Sequence, residues 1–594
     1  MRSSLVVLLF AAILGLCHAG VIPAEEPTLN KGVYIHLLQK RMQSSKDNLL
    51  CWPCKLAVGE IHKMIKNNAT DDEIDNMLIS LCKTFKIEQD YVCSHIIKAF
   101  SAEIYYTLKH MNGSKTDKEI CGFFGCFGGQ EALDMPWNIT IPGNKPAVKP
   151  WPQVPSGKPT LRVLHLSDIH VDYGYVEGSE ADCTNHEIIN TYAYCCRGYK
   201  GDDRPNNPVR VPAGKWGAPF KCDIPYRMFD LAMKHISQKE PNLDYIIITG
   251  DLESHNIWDY TRPGHVNAIE NITSALLEYF PKTKIFQAIG NHEGVPMDSM
   301  APHTLPDYKT RGPAWLYKTL ANAWANWIPK EAIEDVKYRA SYVVRPVKGL
   351  KIISINTIYC STFNFYLYLN QADPDGTMSW LIKELLDSEK IGEKVHLISH
   401  IPNGANYCLK GWSENYYKII NRFENTIASQ FYGHTHQDHF QVFYEDGNVN
   451  GRPTHFNWIS PSLTTFSDNM PSYRIYTIDG DYEGSSFTVL DADTYYANLT
   501  EAYATNKEPV FKHEYSTREA YGMKDLSPAS WDDLANRFLK DIDLFRQKFL
   551  PYYYRDHKNQ ECGWDCIEGY VCDMKSAQSY SDKKFCRGLK GEGS

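Results

Sequence analysis

The chain has 594 residues, of which 43% are hydrophobic and 22% are charged, so it is long enough for several domains with well-filled cores. Its formal net charge is −9 with histidine neutral, which argues against nucleic acid as a partner near neutral pH. After an apolar run over 5–16, no stretch approaches the roughly 20 apolar residues of a transmembrane helix, and we expect no transmembrane segment.

The N-terminus predicts a secretory signal peptide over residues 1–19, because Arg2 precedes the apolar run and small residues surround Ala19. Cys17 lies within this segment, and the even number of cysteines that remains suits an oxidising compartment. Five glycosylation sequons point to the same route: Asn68, Asn112, Asn138, Asn271 and Asn498. The mature protein is therefore expected in the lysosome, outside the cell, or in both places.

Residues 48–127 predict a helical domain, since prolines are few and apolar residues recur at three- to four-residue spacing. Six cysteines punctuate it: Cys51, Cys54, Cys82, Cys93, Cys121 and Cys126. Cys51-x-x-Cys54 alone is compatible with a redox pair or with half a zinc site. The other four cysteines lack the short paired spacing of a zinc site, and the compartment favours disulfides.

This segment resembles a saposin B-type domain over its whole length. The resemblance implies the pairs Cys51–Cys126, Cys54–Cys121 and Cys82–Cys93, and a surface that exposes apolar side chains to lipid. Phe123, Phe124 and Phe127 belong either to such a surface or to a small helical core.

Residues 134–160 predict a linker, because seven prolines keep the backbone extended and semi-rigid. Trp137 and Trp151 indicate that it packs on a neighbour.

Residues 161–490 predict an α/β domain in which two facing β-sheets are flanked by helices. Helices are expected at Tyr226–Gln238, Val266–Tyr279, Pro313–Trp327 and Thr377–Ser388. Strands are expected at Leu161–Ser167, Tyr245–Thr249, Lys284–Ile289, Leu350–Asn356, Val395–Ser399, Ser429–Tyr432, His455–Ile459 and Tyr473–Ile478. An irregular insertion carries four cysteines that are expected to staple it: Cys183, Cys195, Cys196 and Cys222. Cys360 and Cys408 are also expected in disulfides.

Residues 491–594 predict a small helical lobe, with an amphipathic helix over Ser530–Phe549. Its four cysteines are expected to pair locally, as Cys562–Cys566 and Cys572–Cys586.

Five of the apolar runs in the α/β domain end in Asp, Asn or His. Open α/β sheets bind their ligands at the carboxyl ends of strands, so these side chains are expected to meet. The set comprises Asp168, His170, Asp251, Asn291, His292, His400, His434 and His436. Each motif is weak alone, but together they offer oxygen and nitrogen ligands without a thiolate, as a hydrolytic site with two metal ions requires.

The ordered set resembles the calcineurin-like metallophosphoesterase signature. The resemblance implies a first metal held by Asp168, His170, Asp251 and His436, and a second held by Asp251, Asn291, His400 and His434. Asp251 would bridge the two ions, and a bridging hydroxide would attack phosphorus in line.

Two zinc ions are the expected cofactors. Purple acid phosphatases carry a tyrosine three residues after the bridging aspartate, where an iron gives their colour. This chain has Ser254 at that position, and it has His170 where those enzymes carry a glycine. Both departures favour zinc over iron.

Two further histidines are expected to be catalytic. His292 follows the ligand Asn291 directly and is expected to protonate the leaving alkoxide. His255, four residues after Asp251, is expected to hold a nonbridging phosphate oxygen. The alternative for both is that they only orient a ligand or a neighbouring loop.

The whole arrangement, an all-α saposin domain, a proline linker, a two-sheet metallophosphoesterase and a helical C-terminal lobe, resembles the acid sphingomyelinase family over nearly the whole mature chain. The resemblance implies hydrolysis of sphingomyelin to ceramide and phosphocholine at acidic pH. One alternative is a secreted sphingomyelinase-like phosphodiesterase of nucleotides or other soluble phosphoesters, a group that lacks the saposin module. Another is a lipid-binding protein whose phosphoesterase fold is only a scaffold, which the intact ligand set opposes.

The expected partner is a sphingomyelin-containing membrane, met by a monomer. The chain has 21 histidines, and their protonation in an acidic compartment would favour anionic vesicle surfaces. The alternative is that these histidines are simply surface residues without such a role.

Overall fold

The computed structural model describes residues 58–84, 88–111, 120–121, 135–183, 194–198, 209–405, 407–466, 468–555 and 562–579. Several predictions lie outside the described residues: the signal peptide over 1–19, the pair Cys51–Cys126, Cys54, Cys586, Asn112, Phe123, Phe124 and Phe127. The described residues form a two-sheet sandwich with helices against it, a helical N-terminal region and a helical C-terminal region.

The first sheet has six strands in the order β12-β11-β10-β1-β2-β3. Its strands are β1 (Thr160–Leu166), β2 (Tyr245–Ile248), β3 (Lys284–Gln287), β10 (Ser472–Asp479), β11 (Val489–Ala497) and β12 (Phe511–Ser516). β1, β2 and β3 are parallel neighbours, and the other pairs are antiparallel. The four residues of β2 are all buried, as the continuous apolar run predicts for a strand covered on both faces.

The second sheet also has six strands, in the order β4-β5-β6-β7-β9-β8. Its strands are β4 (Tyr342–Val344), β5 (Leu350–Ser354), β6 (Lys394–Ile398), β7 (Ile427–Tyr432), β8 (His439–Tyr444) and β9 (Pro453–Ile459). β5, β6, β7 and β9 run parallel, and β4 and β8 close the edges in antiparallel pairs.

The two sheets face each other through aromatic and polar contacts. The ring of Phe431 in β7 lies 6.0 Å from His165 in β1 and 4.9 Å from Tyr476 in β10. At the other end, Tyr342 in β4 donates its hydroxyl to the carbonyl of Gln287 in β3, at 2.8 Å. These contacts place the carboxyl ends of β1, β2 and β3 near those of β6 and β7.

The four helices predicted for the α/β domain are confirmed within a few residues, because their apolar spacing is long and regular. The main helices are Tyr226–Lys239, Arg262–Tyr279, Ala314–Trp324, Lys330–Arg339, Thr377–Ile391 and Lys410–Arg422. The shorter ones are Tyr308–Arg311, Ile257–Asp259, Asn291–Glu293, Thr357–Cys360, Phe365–Tyr368, Pro374–Gly376 and Glu445–Gly447.

In the N-terminal region, residues 58–66 are helical, and the helices Asp71–Thr84 and Asp90–His110 follow. Helix Asp90–His110 packs against the α/β domain. Tyr91 donates to Asp259 at 2.6 Å, and the carboxylate of Glu103 accepts from the backbone of Phe365 at 2.9 Å. The saposin-like region is thus docked on the sandwich through one helix.

The linker packs on its neighbour, as Trp137 and Trp151 predict. Asn415, on helix Lys410–Arg422, donates to the Trp137 carbonyl at 2.8 Å and accepts from the Ile139 backbone at 3.0 Å. Residues 135–159 contain neither helix nor strand, which fits their proline content.

The C-terminal region departs from the sequence prediction in two respects. The boundary expected at residue 490 falls inside β11, so the chain beyond it still contributes strands to the first sheet. The prediction of a single helix over Ser530–Phe549 is wrong. Helix Pro528–Phe538 ends within that range, and Asp541 caps a new helix that begins at Ile542. The remaining helices are Leu499–Thr505, Thr517–Tyr521, Ile542–Leu544, the π-helix Phe545–Phe549, Leu550–Tyr554 and Trp564–Met574.

Five disulfides lie among the described residues: Cys82–Cys93, Cys183–Cys195, Cys196–Cys222, Cys360–Cys408 and Cys562–Cys566. Cys82–Cys93 is the pair that the saposin resemblance implies, and Cys562–Cys566 is the local pair expected in the C-terminal region. Cys121 and Cys572 are also disulfide-bonded, and the partners expected for them lie outside the described residues.

The surface features of the sequence can be located in part. Asn68, Asn138 and Asn271 are exposed, whereas Asn498 is half-buried and caps helix Leu499–Thr505. Within the part of the chain that the structure describes, no helix is both long enough and apolar enough to cross a bilayer.

We expect the substitution Glu103→Gln to weaken the pH dependence of stability. Burial raises the pKa of the Glu103 carboxyl from 4.5 to about 8, and the nearby Asp298 adds to the shift. Its contribution to stability is complete below the unfolded pKa and is lost as the pH rises through about 8, by up to about 1.4 kcal/mol per pH unit. Glutamine keeps the acceptor for Phe365 but does not titrate.

The measurement is the thermal midpoint of unfolding at about pH 5 and at about pH 8. The midpoint of the variant should fall less between the two pH values than the midpoint of the wild type. Glu334→Gln is the control, since that carboxyl is exposed and pairs with Lys337 one turn away. If the thermal midpoint of Glu103→Gln falls between the two pH values by as much as that of the wild type, the prediction is contradicted.

Candidate metal centre

The structure brings together all seven predicted metal ligands at one edge of the sandwich. They follow the carboxyl ends of β1, β2 and β3 in one sheet and of β6 and β7 in the other, and all but His434 are buried. The seven are Asp168, His170, Asp251, Asn291, His400, His434 and His436.

Asp251 lies between the two predicted groups of ligands. Its Oδ2 is 3.4 Å from His170 Nε2 and 3.1 Å from His400 Nε2. In the first group, His436 Nε2 is 3.5 Å from Asp168 Oδ1. In the second, Asn291 Oδ1 is 2.9 Å from His400 Nε2 and 3.0 Å from His434 Nδ1. One carboxylate is therefore shared by two clusters of donor atoms.

The backbone turns sharply at the strand ends. Five of the ligands have positive φ angles: Asp168 (48°), His170 (43°), Asp251 (59°), His434 (74°) and His436 (65°). Left-handed backbone is uncommon for residues other than glycine, although Asp and His tolerate it better than most. Such strain persists where the surrounding structure demands it, and it is concentrated at functional sites.

Three histidines are held in the same tautomer. His170 Nδ1 contacts the carbonyl of Glu253 at 2.5 Å, His400 Nδ1 contacts that of Thr249 at 2.6 Å, and His436 Nδ1 contacts that of Phe466. A carbonyl only accepts, so each Nδ1 carries a proton and each Nε2 is the nitrogen that faces the centre.

A cation fits this arrangement. Nε2 of His170 is fully buried and has no hydrogen-bond partner among the described residues, which is costly unless something binds it. The donor set of carboxylate, amide oxygen and imidazole suits borderline and hard divalent ions. The site thus has the composition and the shape of a metal centre.

For His170, His434 and Asp251 the electrostatics favour the protonation states that bind metal. Burial lowers the pKa of His170 well below its usual range and that of His434 to about 3, so both are neutral. Although burial opposes it, the facing His400 and His292 hold the pKa of Asp251 well below its usual range. Asp251 in turn raises the pKa of His400 to about 9 against the effect of burial, so His400 must lose its Nε2 proton when a metal binds.

His292 lies beside the ligands, held by a residue that the sequence does not single out. Its Nδ1 is 2.6 Å from the hydroxyl of Tyr260, which also donates to the carbonyl of Ser254 at 2.5 Å. Since that hydroxyl proton is used, Nδ1 of His292 is the donor to Tyr260. No motif predicts Tyr260, because the contact depends on how the loop after β2 folds back.

His255 also lies beside the ligands, with one ring nitrogen within 4.8 Å of nitrogens of His170 and His436. Its Nδ1 is 2.9 Å from Asp223 Oδ2. Asp223 precedes helix Tyr226–Lys239 and directly follows Cys222. The sequence prediction missed it, and only its place beside the stapled insertion could have drawn attention to it.

Glu293 supports the backbone of the centre. Its carboxylate accepts from the backbone nitrogens of Leu252 at 2.6 Å, Gly290 at 2.5 Å and Asp251 at 3.2 Å. It therefore ties the loop after β3 to the loop after β2.

Three family descriptions match the chain. Residues 161–438 match Calcineurin-like phosphoesterase, residues 456–588 match Acid sphingomyelin phosphodiesterase C-terminal region, and residues 49–86 match Saposin-like type B, region 1.

Similar proteins cover most of the chain. Sphingomyelin phosphodiesterase 2 of Caenorhabditis elegans is 54% identical over 546 residues, which are 90% of this chain and 88% of the relative. Sphingomyelin phosphodiesterase of Homo sapiens is 35% identical over 92% of this chain and 84% of its own length. Acid sphingomyelinase-like phosphodiesterase 3b of Homo sapiens is 28% identical over only 69% of this chain and 87% of its own length.

We expect Gly433→Ala to reduce the metal content of the protein. A Cβ at this position would overlap Ser167 Oγ and lie 2.5 Å from Asp168 Oδ2, so the carboxylate would have to move. The measurement is elemental analysis of the purified protein by mass spectrometry.

Gly569→Ala is the matched control, because Gly569 is exposed on helix Trp564–Met574 and a Cβ there meets nothing within 4 Å. Equal metal content in the two variants would show that the position of Asp168 does not limit binding.

Proposed function

The chain belongs to the sphingomyelin phosphodiesterase family, and we propose that it hydrolyses sphingomyelin to ceramide and phosphocholine. We propose further that it acts at acidic pH, with two zinc ions, on the surface of a membrane.

The main support for a lipid substrate is that helix Asp90–His110 docks beside the candidate centre. Tyr91 on this helix donates to Asp259, and Asp259 lies four residues after His255 on the same loop. A region of the saposin-like class thus sits next to the site at which a phosphodiester would be cut. A soluble substrate would give no reason for this placement, whereas a headgroup in a bilayer does.

The proposed zinc ligands are Asp168, His170, Asp251 and His436 for one ion, and Asp251, Asn291, His400 and His434 for the other. The fit rests on Nε2 of His170, His400 and His436, which faces the centre in each ring because Nδ1 is held by a backbone carbonyl. Ser254, where purple acid phosphatases have tyrosine, supports zinc. Bound ions would activate a water molecule and neutralise charge on the phosphate.

The proposed roles of the protein's own groups follow from their positions. Asp251 holds both halves of the centre together, since it faces His170 and His400 at once. His292 presents Nε2 to the leaving oxygen of ceramide, because its Nδ1 donates to Tyr260, and it delivers a proton from Nε2 when the ring is the doubly protonated imidazolium. His255, whose Nδ1 donates to Asp223, holds a nonbridging phosphate oxygen by donating from Nε2 when the ring is protonated on both nitrogens.

Activity at acidic pH is supported by one buried carboxyl outside the centre, that of Glu103. Glu103 is 2% exposed at the boundary between the saposin-like helix and the sandwich, and its pKa is raised by burial to about 8. It is therefore neutral in acid, and the docked arrangement loses stability as the pH rises through that value. We also propose that the protein is a monomer that works on anionic vesicle surfaces in the lysosome or outside the cell.

The competing function is hydrolysis of soluble phosphoesters such as nucleotides. The same candidate centre would serve both substrates, and the relative of the 3b type matches 69% of this chain.

The test of the function is hydrolysis of sphingomyelin vesicles at about pH 5, with a soluble nucleotide assayed in parallel and metal counted in the same sample. We expect phosphocholine release and about two zinc ions per chain. Asp251→Asn should lose both the metal and the activity, since the shared carboxylate is weakened at both clusters. Nucleotide cleavage without sphingomyelin cleavage would overturn the substrate and leave the centre intact.

We expect His292→Ala to retain zinc while turnover falls by about 10²- to 10⁴-fold, the usual range for a general acid. The loss should be smaller for a nitrophenyl ester, because that leaving group needs no proton. His303→Ala is the control: His303 stacks between Tyr308 and Tyr338 and is held by Asp375, away from the ligands. An equal loss for both substrates would rule out His292 as the acid.

A further inference from the structure

We propose that Asp223 positions His255 for the reaction, and that the disulfide-stapled insertion exists in part to hold Asp223. This inference rests on the proposed function, because it concerns the orientation of a side chain at the same centre.

Asp223 is fully buried, and four donors converge on its two oxygens. The backbone nitrogen of His255 donates at 2.7 Å, and His255 Nδ1 lies 3.0 and 2.9 Å from the two oxygens. Thr464 donates at 2.7 Å and Tyr194 at 2.8 Å. Both the main chain and the ring of His255 are thus attached to one carboxylate.

The ring of His255 is also confined by its neighbours. It stacks on Phe466 at 3.8 Å with an angle of 16° between the planes, and it lies 4.1 Å from the ring of His170. With Nδ1 bound to Asp223, Nε2 is the nitrogen left for substrate. The ring therefore presents one atom in one direction.

The far side of Asp223 is anchored in the insertion. Tyr194, fully buried, contacts Asp223 and also Asp172 at 3.0 Å, and Asp172 is paired with Arg197 at 2.5 Å. Tyr194 precedes Cys195, which is bonded to Cys183. Cys222, adjacent to Asp223, is bonded to Cys196. The two disulfides therefore anchor Asp223, which contacts His255, and Tyr194, which contacts Asp223.

A carboxylate is required at this position, and an amide does not replace it. All four contacts are made by donors, so an asparagine NH₂ would face at least one of them with a second donor. A buried donor without an acceptor is costly, and the ring of His255 is the partner with most freedom to move.

The experiment is a double-mutant cycle with Asp223→Asn and His255→Ala, read as kcat and KM on sphingomyelin vesicles. We expect Asp223→Asn to lower kcat by about 10- to 100-fold, as for other residues that orient an active group, with KM and zinc content unchanged. In the His255→Ala background the same substitution should cost less than about threefold, because a positioning residue has nothing left to position.

Asp479→Asn is the matched control. Asp479 is also fully buried and accepts from Tyr482 at 2.7 Å and from Ser486 at 2.7 and 2.6 Å. It pairs with Thr160 at the start of β1, whereas the candidate centre follows the carboxyl end of β1. It should leave kcat unchanged, which separates the proposed role from the general cost of altering a buried carboxylate.

Three outcomes would overturn the inference. They are a wild-type kcat for Asp223→Asn, an equal loss in both backgrounds, and a loss of zinc, which would make His255 a ligand instead. If Asp223→Asn does not accumulate, Thr464→Val removes one donor and is expected to give a smaller loss of kcat that again depends on His255.

Failure of the proposed function is distinguishable from failure of this inference. A wild-type protein that leaves sphingomyelin intact refutes the substrate. The cycle is then measured on the soluble phosphodiester that the protein does cut, and the same dependence on His255 is expected there.

Discussion

The carboxylate of Asp251 faces two histidines from opposite groups, and much of the molecule is arranged to keep it there. It is 1% exposed, its backbone is left-handed, and its Oδ1 accepts from the backbone of His292 at 2.8 Å. The turn before it allows no side chain, because a Cβ on Gly250 would lie 2.5 Å from the backbone of Gly290. The close approach of the turns after β2 and β3 thereby places the Asp251 carboxylate where ligands from both sheets meet.

The C-terminal region is part of this support. Asp438, two residues after His436, is ion-paired with the fully buried Arg474 in β10 and accepts from Tyr515 in β12 at 2.6 Å. Thr494 in β11 also accepts from Arg474, at 2.8 Å. A buried ion pair is tolerated only when further hydrogen bonds complete it, and here strands beyond residue 490 supply them. The loop that carries His434 and His436 is therefore anchored, through Asp438, to the C-terminal strands of the first sheet.

The N-terminal helix and the insertion act on the same centre from other sides. Helix Asp90–His110 reaches the loop of His255 through Tyr91 and the turn at Phe365 through Glu103. The insertion reaches His255 through Asp223 and Tyr194. Segments distant in sequence thus converge on the loop that carries His255.

The sequence by itself predicted the two-sheet sandwich, the strand tips and the residues from Asp168 to His436 that meet there. These features depend on short-range patterns, namely apolar runs that end in polar residues and helices with regular spacing. It did not predict Asp223, Tyr260 or the contact of Arg474 with Asp438, because a hydrogen bond between distant residues leaves no local pattern. It also placed a boundary inside β11 and joined two helices across Asp541, since edge strands and caps are decided by what packs against them. Tertiary structure alone decided which way each histidine ring faces, and that orientation determines what each ring can bind.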